Sequence, residues 1–239
     1  MTYYKFLPCR YYQKKKIVDT KYDNYGIWDC INISRISDSS DFIIQSSKET
    51  NLPVSLFFFM LAFANGRRLS DGMQLQKVIE NQNQYSSSEM FLINDLVECD
   101  ISKQSVDLST LLNYHKKAKE FPFVFDNGSH FWEYFGEKIR KEYYSELPSR
   151  INSYFLFEST ESIDYYQKHN PYKTGYTVAQ IELLECNYLE SFDMKTWDIN
   201  NNNLPYSKSF NNIKAYWESN KIAHKEVPEF LFQGKLKFL

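Results

Sequence analysis

The stretch of sequence that decides the fold is Val227-Pro-Glu-Phe-Leu-Phe-Gln-Gly-Lys-Leu-Lys-Phe-Leu239. Aromatic and aliphatic residues on either side of Gly234 predict two short strands, 229–232 and 235–239, with the glycine as their break. Glu229 lies at the entrance of the first of these strands. A fold can direct a carboxylate in that position into a cleft.

The part of the same half that precedes this stretch is predicted to contain two more strands and two helices. Residues 153–157 and 175–185 show the period of two that is typical of strands. A short helix is predicted to begin at Ser159-Thr-Glu161, with an acidic residue in its first turn. A second helix is predicted around 210–217, where apolar residues recur at helical spacing.

The first half of the chain is predicted to be mainly helical. The apolar run 54–64 predicts a buried helix, with Pro53 in its first turn and Gly66 as its stop. Further helices are predicted over 73–79, after Asp107 and over 131–143, the last ended by Pro148. Two strands, 2–8 and 27–36, are also predicted in this half.

These elements predict an α+β fold that is helix-rich in its first half and strand-rich in its second. Because no Pro-, Gly- or Ser-rich linker separates the halves, we expect a single domain over 1–239, with a helical insertion at about 48–145. The alternative is a helical accessory region that extends to about residue 125.

Composition excludes several classes of protein. The chain has 28 basic and 30 acidic residues, a net charge of -2, so it lacks the basic field of a general nucleic-acid binder. The four cysteines and four histidines are scattered without metal-ligand spacing, so no metal is expected. The N-terminal residues lack an apolar signal core, and 54–64 is too short to span a bilayer. We therefore expect a cytoplasmic protein with no membrane partner.

The chain carries no Gly-rich phosphate loop, nucleophile elbow or zinc helix motif. The remaining candidates for chemistry are polar residues at strand edges: Arg150, Ser153, Tyr154 and Glu229. Each also has an ordinary structural interpretation. Glu229 can be a solvated residue at a strand end, and Arg150 can pair with Glu146 of the preceding helix.

Three segments carry a resemblance to a known family. They are Leu147-Pro-Ser-Arg150 leading into Ser153-Tyr-Phe-Leu-Phe157, then Ala215-Tyr-Trp217, then Pro228-Glu-Phe-Leu-Phe-Gln-Gly234. Together they resemble the C-terminal half of small bacterial ADP-ribosyltransferases, over the last 93 residues. The resemblance implies an ADP-ribosyltransferase-like mixed β core in the C-terminal half, with a helix-rich N-terminal elaboration.

The resemblance also implies roles for individual residues. In that family a late strand begins with the catalytic glutamate, which here is Glu229. Many bacterial relatives have a histidine in an early strand, whereas this chain has Tyr3-Tyr-Lys-Phe6 and Arg10 slightly downstream. The residues implied to bind NAD are Arg10, Arg150, Ser153, Tyr154 and Trp217.

The expected function is transfer of ADP-ribose from NAD to a macromolecular acceptor, which can be protein, DNA or RNA. The resemblance implies a toxin or phage-defence effector with a neutralising antitoxin or chaperone protein. The alternative from another class is a non-enzymatic protein-interaction module on a degenerate fold of the same kind. A nucleic-acid-binding protein is a third interpretation, which the near-neutral charge disfavours.

Overall fold

The structure is a computed structural model that describes residues 2–14, 17–67, 90–92, 105–169, 175–200 and 204–239. Its strands are β1 Tyr3–Pro8, β2 Ile17–Asp19, β3 Met90–Leu92, β4 Ser105–Asp107, β5 Tyr154–Leu156, β6 Tyr176–Asp193 and β7 Pro228–Phe238. Its helices are α1 Cys9–Lys14, α2 Tyr25–Trp28, α3 Ile33–Thr50, α4 Val54–Ala64, α5 Leu108–Ala118, α6 Ser129–Tyr143, α7 Thr160–His169, α8 Met194–Asp198 and α9 Tyr206–Glu218.

The chain divides into two compact units. The first comprises Met1–Asn32, Gly136–Ile199 and Ile213–Leu239, and the second comprises Ile33–Phe135 and Asn200–Asn212. Helices α6 and α9 supply residues to both. The expectation of a single domain with a helical insertion stays a prediction.

An antiparallel sheet built around β7 organises the first unit. One edge of β7 pairs with β6 along its whole length, and β1 pairs with the far edge of β6. The other edge of β7 is shared, because β5 pairs with Phe230–Phe232 and β2 pairs with Lys235–Lys237. Glu229 thus begins the central strand of the sheet.

The sheet curls into a half-barrel. Strand β6 is 18 residues long, and its register against β7 shifts twice, between Leu183 and Glu185 and between Cys186 and Tyr188. Such bulges bend a strand and increase its twist. Opposite the second shift, Gly234 has φ 146°, and a Cβ there would lie 2.0 Å from the Glu185 carbonyl oxygen. Only glycine fits this close approach of two backbones.

Both faces of the sheet are buried in part. On one face, side chains from all five strands form a core that includes Tyr154, Phe232 and Leu236. The other face of β1 contributes Phe6 to a second core with Ile163 of α7 and Val227. This double burial explains why Phe230, Leu231 and Phe232 follow one another in β7 without a polar residue between them.

The second unit is mainly helical in its described part. Helix α4 packs against α3 and α5, and most of its residues are buried. Aromatic pairs fill the space between the elements, such as Phe42 stacked on Phe121 and Phe57 edge-on to Tyr114. Strands β3 and β4 form a separate antiparallel pair.

The expected α+β class is confirmed, and so are most elements with a strong period. Two predictions were wrong. Residues 27–36 form the end of α2 and the start of α3 rather than a strand. Gly234 does not divide two strands, because its unusual backbone angle lets β7 continue through it. The predicted helix over 73–79 lies outside the described residues. Within them, no helix has the length and apolar character needed to cross a membrane.

Candidate active site

Glu229 and Arg150 form a buried ion pair in the first unit. Glu229 is the second residue of β7 and lies opposite Phe192 of β6. Arg150 belongs to the turn that precedes β5, and its Nη1 donates to Glu229 Oε1. The two residues are 6% and 2% exposed, so water screens their attraction poorly. The pairing with Glu229 replaces the alternative in which Arg150 binds Glu146.

Tyr216 of α9 completes the arrangement. Its hydroxyl accepts a hydrogen bond of 2.5 Å from Arg150 Nη1 and donates one of 2.7 Å to Glu229 Oε1. Burial raises the pKa of Tyr216 well above its ordinary value, although the Arg150 charge opposes this shift. The hydroxyl therefore keeps its proton. The hydrogen bonds that described residues make to the Glu229 carboxylate all end on Oε1.

Aromatic rings surround the Arg150 guanidinium. Its central carbon lies 4.1 Å from the ring centre of Trp197, 4.7 Å from that of Phe155 and 4.8 Å from that of Tyr216. Contacts of a guanidinium with ring faces are favourable, more so where water is excluded. Three elements, α8, β5 and α9, thus fix the cation that orients Glu229.

A second carboxylate lies near this pair. Burial of the Asp198 carboxyl, and then the charge of Glu229, raise the pKa of Asp198 to about 6, although the residue as a whole is exposed. Arg150 acts in the opposite direction. Close carboxylates disfavour each other's ionisation, so Asp198 carries the proton more readily than an isolated aspartate does.

An aromatic cavity of about 150 Å³ lies in the same unit. Its lining is made of Lys5, Phe6, Tyr25, Trp28, Asp29, Tyr154, Phe155, Tyr166 and Tyr176. Lys5 Nζ lies 4.4 Å from the ring centre of Tyr154 and 5.6 Å from that of Phe155. The walls are therefore mainly aromatic rings, four of them tyrosines, with one cation and one carboxylate among them.

Two residues connect the cavity with the ion pair. Phe155 lines the cavity and also lies against the Arg150 guanidinium. Tyr166 lines the cavity too. Burial is the main cause that raises the pKa of Tyr166, and the charges of Glu229 and Asp29 raise it further. Glu229 is thus close enough to influence a residue of the cavity wall.

A buried aspartate holds one wall of the cavity. Asp23 is 4% exposed and accepts hydrogen bonds from the Tyr11 hydroxyl and from Trp28 Nε1. The rings of Tyr11 and Trp28 also pack edge to face, with centres 4.2 Å apart. Asp23 was not among the predicted site residues. Its partners lie up to twelve residues away, without a helical or strand period that would join them.

The structure brings only some of the predicted site residues together. Arg150 and Glu229 are in contact, and Tyr154 lines the cavity. Arg10 is exposed on α1 and does not line the cavity. Ser153 is buried, donating to the Ser149 carbonyl at 2.7 Å and accepting from Gln233 at 3.2 Å.

Trp217 is fully buried, and its Nε1 donates to the Gly136 carbonyl at 3.3 Å. Its ring packs edge-on against Phe192, behind Tyr216. Two of the rings that enclose Arg150, those of Tyr216 and Trp197, were not among the predicted site residues. The Ala215-Tyr-Trp217 motif drew attention to Trp217, whereas its neighbour Tyr216 contacts the ion pair.

Fold and site together define an α+β protein with a buried arginine–glutamate pair beside an aromatic cavity. Residues 42–239 match the family described as "Protein of unknown function (DUF2441)". Because this match covers more than half of the sequence, the chain belongs to that family. A comparison with curated proteins gave no match.

Proposed function

We propose that the protein transfers ADP-ribose from NAD to a macromolecular acceptor, with Glu229 as its catalytic residue. One observation carries the proposal: the Glu229 carboxylate is buried at the start of the central strand and is held through one oxygen by Arg150 and Tyr216. Held in this way, the carboxylate has a second oxygen that can accept a hydrogen bond from a ribose hydroxyl. The resemblance of the last 93 residues to ADP-ribosyltransferases supports the same conclusion.

The reaction needs little covalent help from the protein. The bond between the ribose C1 atom and the nicotinamide nitrogen breaks, its electron pair neutralises the pyridinium, and neutral nicotinamide leaves. The ribose passes through a state with oxocarbenium character, as in glycoside cleavage. A nucleophilic atom of the acceptor then bonds to C1 and loses its proton. A fixed negative charge close to C1 stabilises the transition state, and this is the role of Glu229.

The aromatic cavity suits one ring of the dinucleotide. A cavity of about 150 Å³ in another protein admits benzene, so a nicotinamide ring is of the right order of size. Its aromatic walls favour the pyridinium of NAD through cation–π attraction, which neutral nicotinamide loses on leaving. We assign Tyr154 and Phe155 to this ring contact.

Lys5 lines the cavity and carries a positive charge that suits the pyrophosphate. Arg150 was predicted for that task, and its Nη1 is engaged with Glu229 and Tyr216. We therefore assign Arg150 to the orientation of Glu229 and Lys5 to the phosphates. Arg10 stays a predicted second phosphate contact. NAD is a substrate in this proposal, and no metal takes part. The acceptor, and an antitoxin-like partner in a defence setting, are parts of the same proposal.

The direct test replaces Glu229 with glutamine, which keeps the shape and removes the charge. We expect NAD consumption to fall by about two to four orders of magnitude, the loss typical of a group that stabilises transition-state charge. Glu182→Gln is the matched control, because Glu182 forms an exposed pair with Lys237 on the same sheet. It should leave the rate unchanged.

Because Glu229 is buried, its replacement can also destabilise the fold. Circular dichroism at the assay temperature measures the folded fraction of each variant, and the rate is expressed per folded molecule. Tyr216→Phe provides a milder change, since it removes only the hydroxyl that donates to Oε1. A folded Glu229→Gln variant with the wild-type rate would reject the assignment.

The second candidate is a non-enzymatic protein-interaction module. The near-complete burial of Glu229 favours it, because an ion pair of this kind can serve structure alone. Calorimetry with NAD separates the two candidates. Heat of binding that disappears when Lys5 is replaced by alanine supports the enzyme, whereas absence of heat and of any thermal shift supports the module.

A further inference from the structure

Asp193 is a buried carboxylate at which two segments of the first unit meet. It ends β6 and serves as the N-cap of α8, with 9% of its surface exposed. Its Oδ1 accepts from Lys195 N at 3.1 Å and from Val227 N at 3.1 Å. Its Oδ2 accepts from Glu226 N at 3.0 Å. One side chain therefore binds three backbone N–H groups that belong to two separate stretches of chain.

The backbone of this region joins a third segment. The Asp193 N–H donates to Ser219 Oγ at 2.9 Å, and that hydroxyl donates to the Tyr216 carbonyl at 2.6 Å. The adjacent Met194 N–H donates to the Val227 carbonyl at 2.9 Å. Asp193 is thus connected to the end of α9 as well as to α8 and to the lead-in of β7.

These three segments carry three of the residues that contact Arg150, while Phe155 of β5 is a fourth. Helix α8 carries Trp197, whose ring lies 4.1 Å from the guanidinium. Helix α9 carries Tyr216, and the lead-in of β7 reaches Glu229 two residues after Val227. Within α8, the Thr196 side-chain hydroxyl also donates to the Asp193 carbonyl, at 2.7 Å.

We propose that Asp193 is a positioning residue that fixes Trp197, Tyr216 and Glu229 relative to one another around Arg150. Its effect on catalysis rests on the proposed ADP-ribosyl transfer, whereas its effect on the geometry of the ion pair does not. A carboxylate suits this task, because two oxygens can accept from three N–H donors at once. An asparagine has one acceptor oxygen, so its amide group must face at least one N–H donor.

The reaction is sensitive to such positioning. A displacement of about 1 Å at a reacting centre can lower a rate by roughly 100-fold, even when substrate binding survives. Asp193 does not line the cavity, and its side chain accepts hydrogen bonds from backbone N–H groups rather than from the ion pair. Its loss should therefore change kcat, and KM should stay close to that of the unaltered protein.

The test compares Asp193→Asn with Lys195→Ala in the full chain. The control variant removes the exposed ion pair between Lys195 and Glu226 but keeps the backbone N–H that Asp193 binds. Steady-state NAD consumption gives kcat and KM. Nitrogen-15 NMR of the Arg150 guanidinium reports the ion pair without any need for turnover, after assignment with an Arg150→Lys sample.

For Asp193→Asn we expect kcat to fall by about 100-fold with KM changed less than about 3-fold, and the Arg150 guanidinium resonances to shift or broaden. For Lys195→Ala both readouts should match the unaltered protein. A folded Asp193→Asn variant with unchanged Arg150 resonances overturns the inference. So does an equal change in the control.

Ser219→Ala covers the case in which Asp193→Asn does not fold. It removes only the hydroxyl that joins Asp193 to Tyr216, so the Arg150 resonances should shift while the fold survives. Unchanged resonances in that variant overturn the inference as well. If the unaltered protein consumes no NAD, the proposed function fails, and the NMR comparison still decides the role of Asp193.

Discussion

The buried ion pair makes a quantitative prediction about stability. Arg150 and Glu229 are 6% and 2% exposed, so the replacement of either by an apolar residue leaves an unpaired charge inside the protein. Breaking a buried pair in this way costs about 3–5 kcal/mol of unfolding free energy. We therefore expect Glu229→Leu and Arg150→Met each to lose about that amount.

The double variant should lose much less than its two parents together. It contains no buried charge, and its main remaining cost is the Tyr216 hydroxyl, which loses the two partners it has in the native protein. An unsatisfied buried hydroxyl costs about 1–3 kcal/mol. The coupling energy between the two sites is then about 3 kcal/mol or more. Addition of Tyr216→Phe to the double variant should recover most of the residual loss.

Urea unfolding at pH 7, followed by circular dichroism and tryptophan fluorescence, measures each corner of the cycle. The exposed pair of Glu182 and Lys237 provides the control cycle, with side chains 48% and 43% exposed. Its coupling should stay below about 1 kcal/mol, as is usual for surface pairs. If the Arg150–Glu229 coupling is as small as that of the control, the pair is screened by water and the reasoning is wrong.

Two further predictions concern the sheet and the second carboxylate. Gly234→Ala should lower the unfolding free energy by about 3 kcal/mol or more. The new Cβ would lie 2.0 Å from the Glu185 carbonyl oxygen, and the residue would have to keep a φ of 146°. A loss below about 1 kcal/mol in urea unfolding would contradict this. Asp198→Asn should stabilise the protein at pH 7–8, with a gain that shrinks towards pH 4. The pKa of Asp198 is about 6 in the folded protein, above its ordinary value, so the folded state loses stability as pH rises through that range. Urea unfolding of both proteins across this pH range tests the sign, and a difference independent of pH would contradict it.

Sequence periodicity predicted those helices and strands whose structure follows from their own residues. Helices α4, α5 and α6 have a continuous apolar face or run, and each forms where the period predicts it. Strands β1 and β5 are likewise confirmed. Residues 27–36 were misjudged because they straddle two helices, so that a short alternation arose from the end of one and the start of the next.

Gly234 shows why a local rule fails where two strands approach closely. A glycine usually weakens a strand, and this reasoning predicted a break. In the structure the glycine is required by the Glu185 backbone of β6, a residue 49 positions earlier that no local window contains. Thr20 makes two hydrogen bonds to the same glycine. Its Oγ1 accepts from the Gly234 N–H, and its own backbone N–H donates to the Gly234 carbonyl.

The sequence predicted the two charged residues of the candidate site but not the contact between them. Glu229 and Arg150 were selected from their strand edges and from a family resemblance, whereas their mutual contact joins residues 79 positions apart. Tyr216 belongs to the Ala215-Tyr-Trp217 motif but was not predicted as a site residue, and Asp193 had no signal, because the roles of both lie in hydrogen bonds to distant segments. A charged residue at the end of a strand indicates little until its partners are known.

The central position of β7 has a consequence for how the protein is made. Its partners β1, β2, β5 and β6 all precede it in the chain, so they leave the ribosome before the strand that joins them. Until β7 arrives, Arg150 lacks the Glu229 carboxylate and the sheet lacks its central strand. The catalytic centre proposed for this protein can therefore assemble only after Glu229 has been synthesised, and nascent chains stalled before Pro228 should be inactive and open to proteolysis.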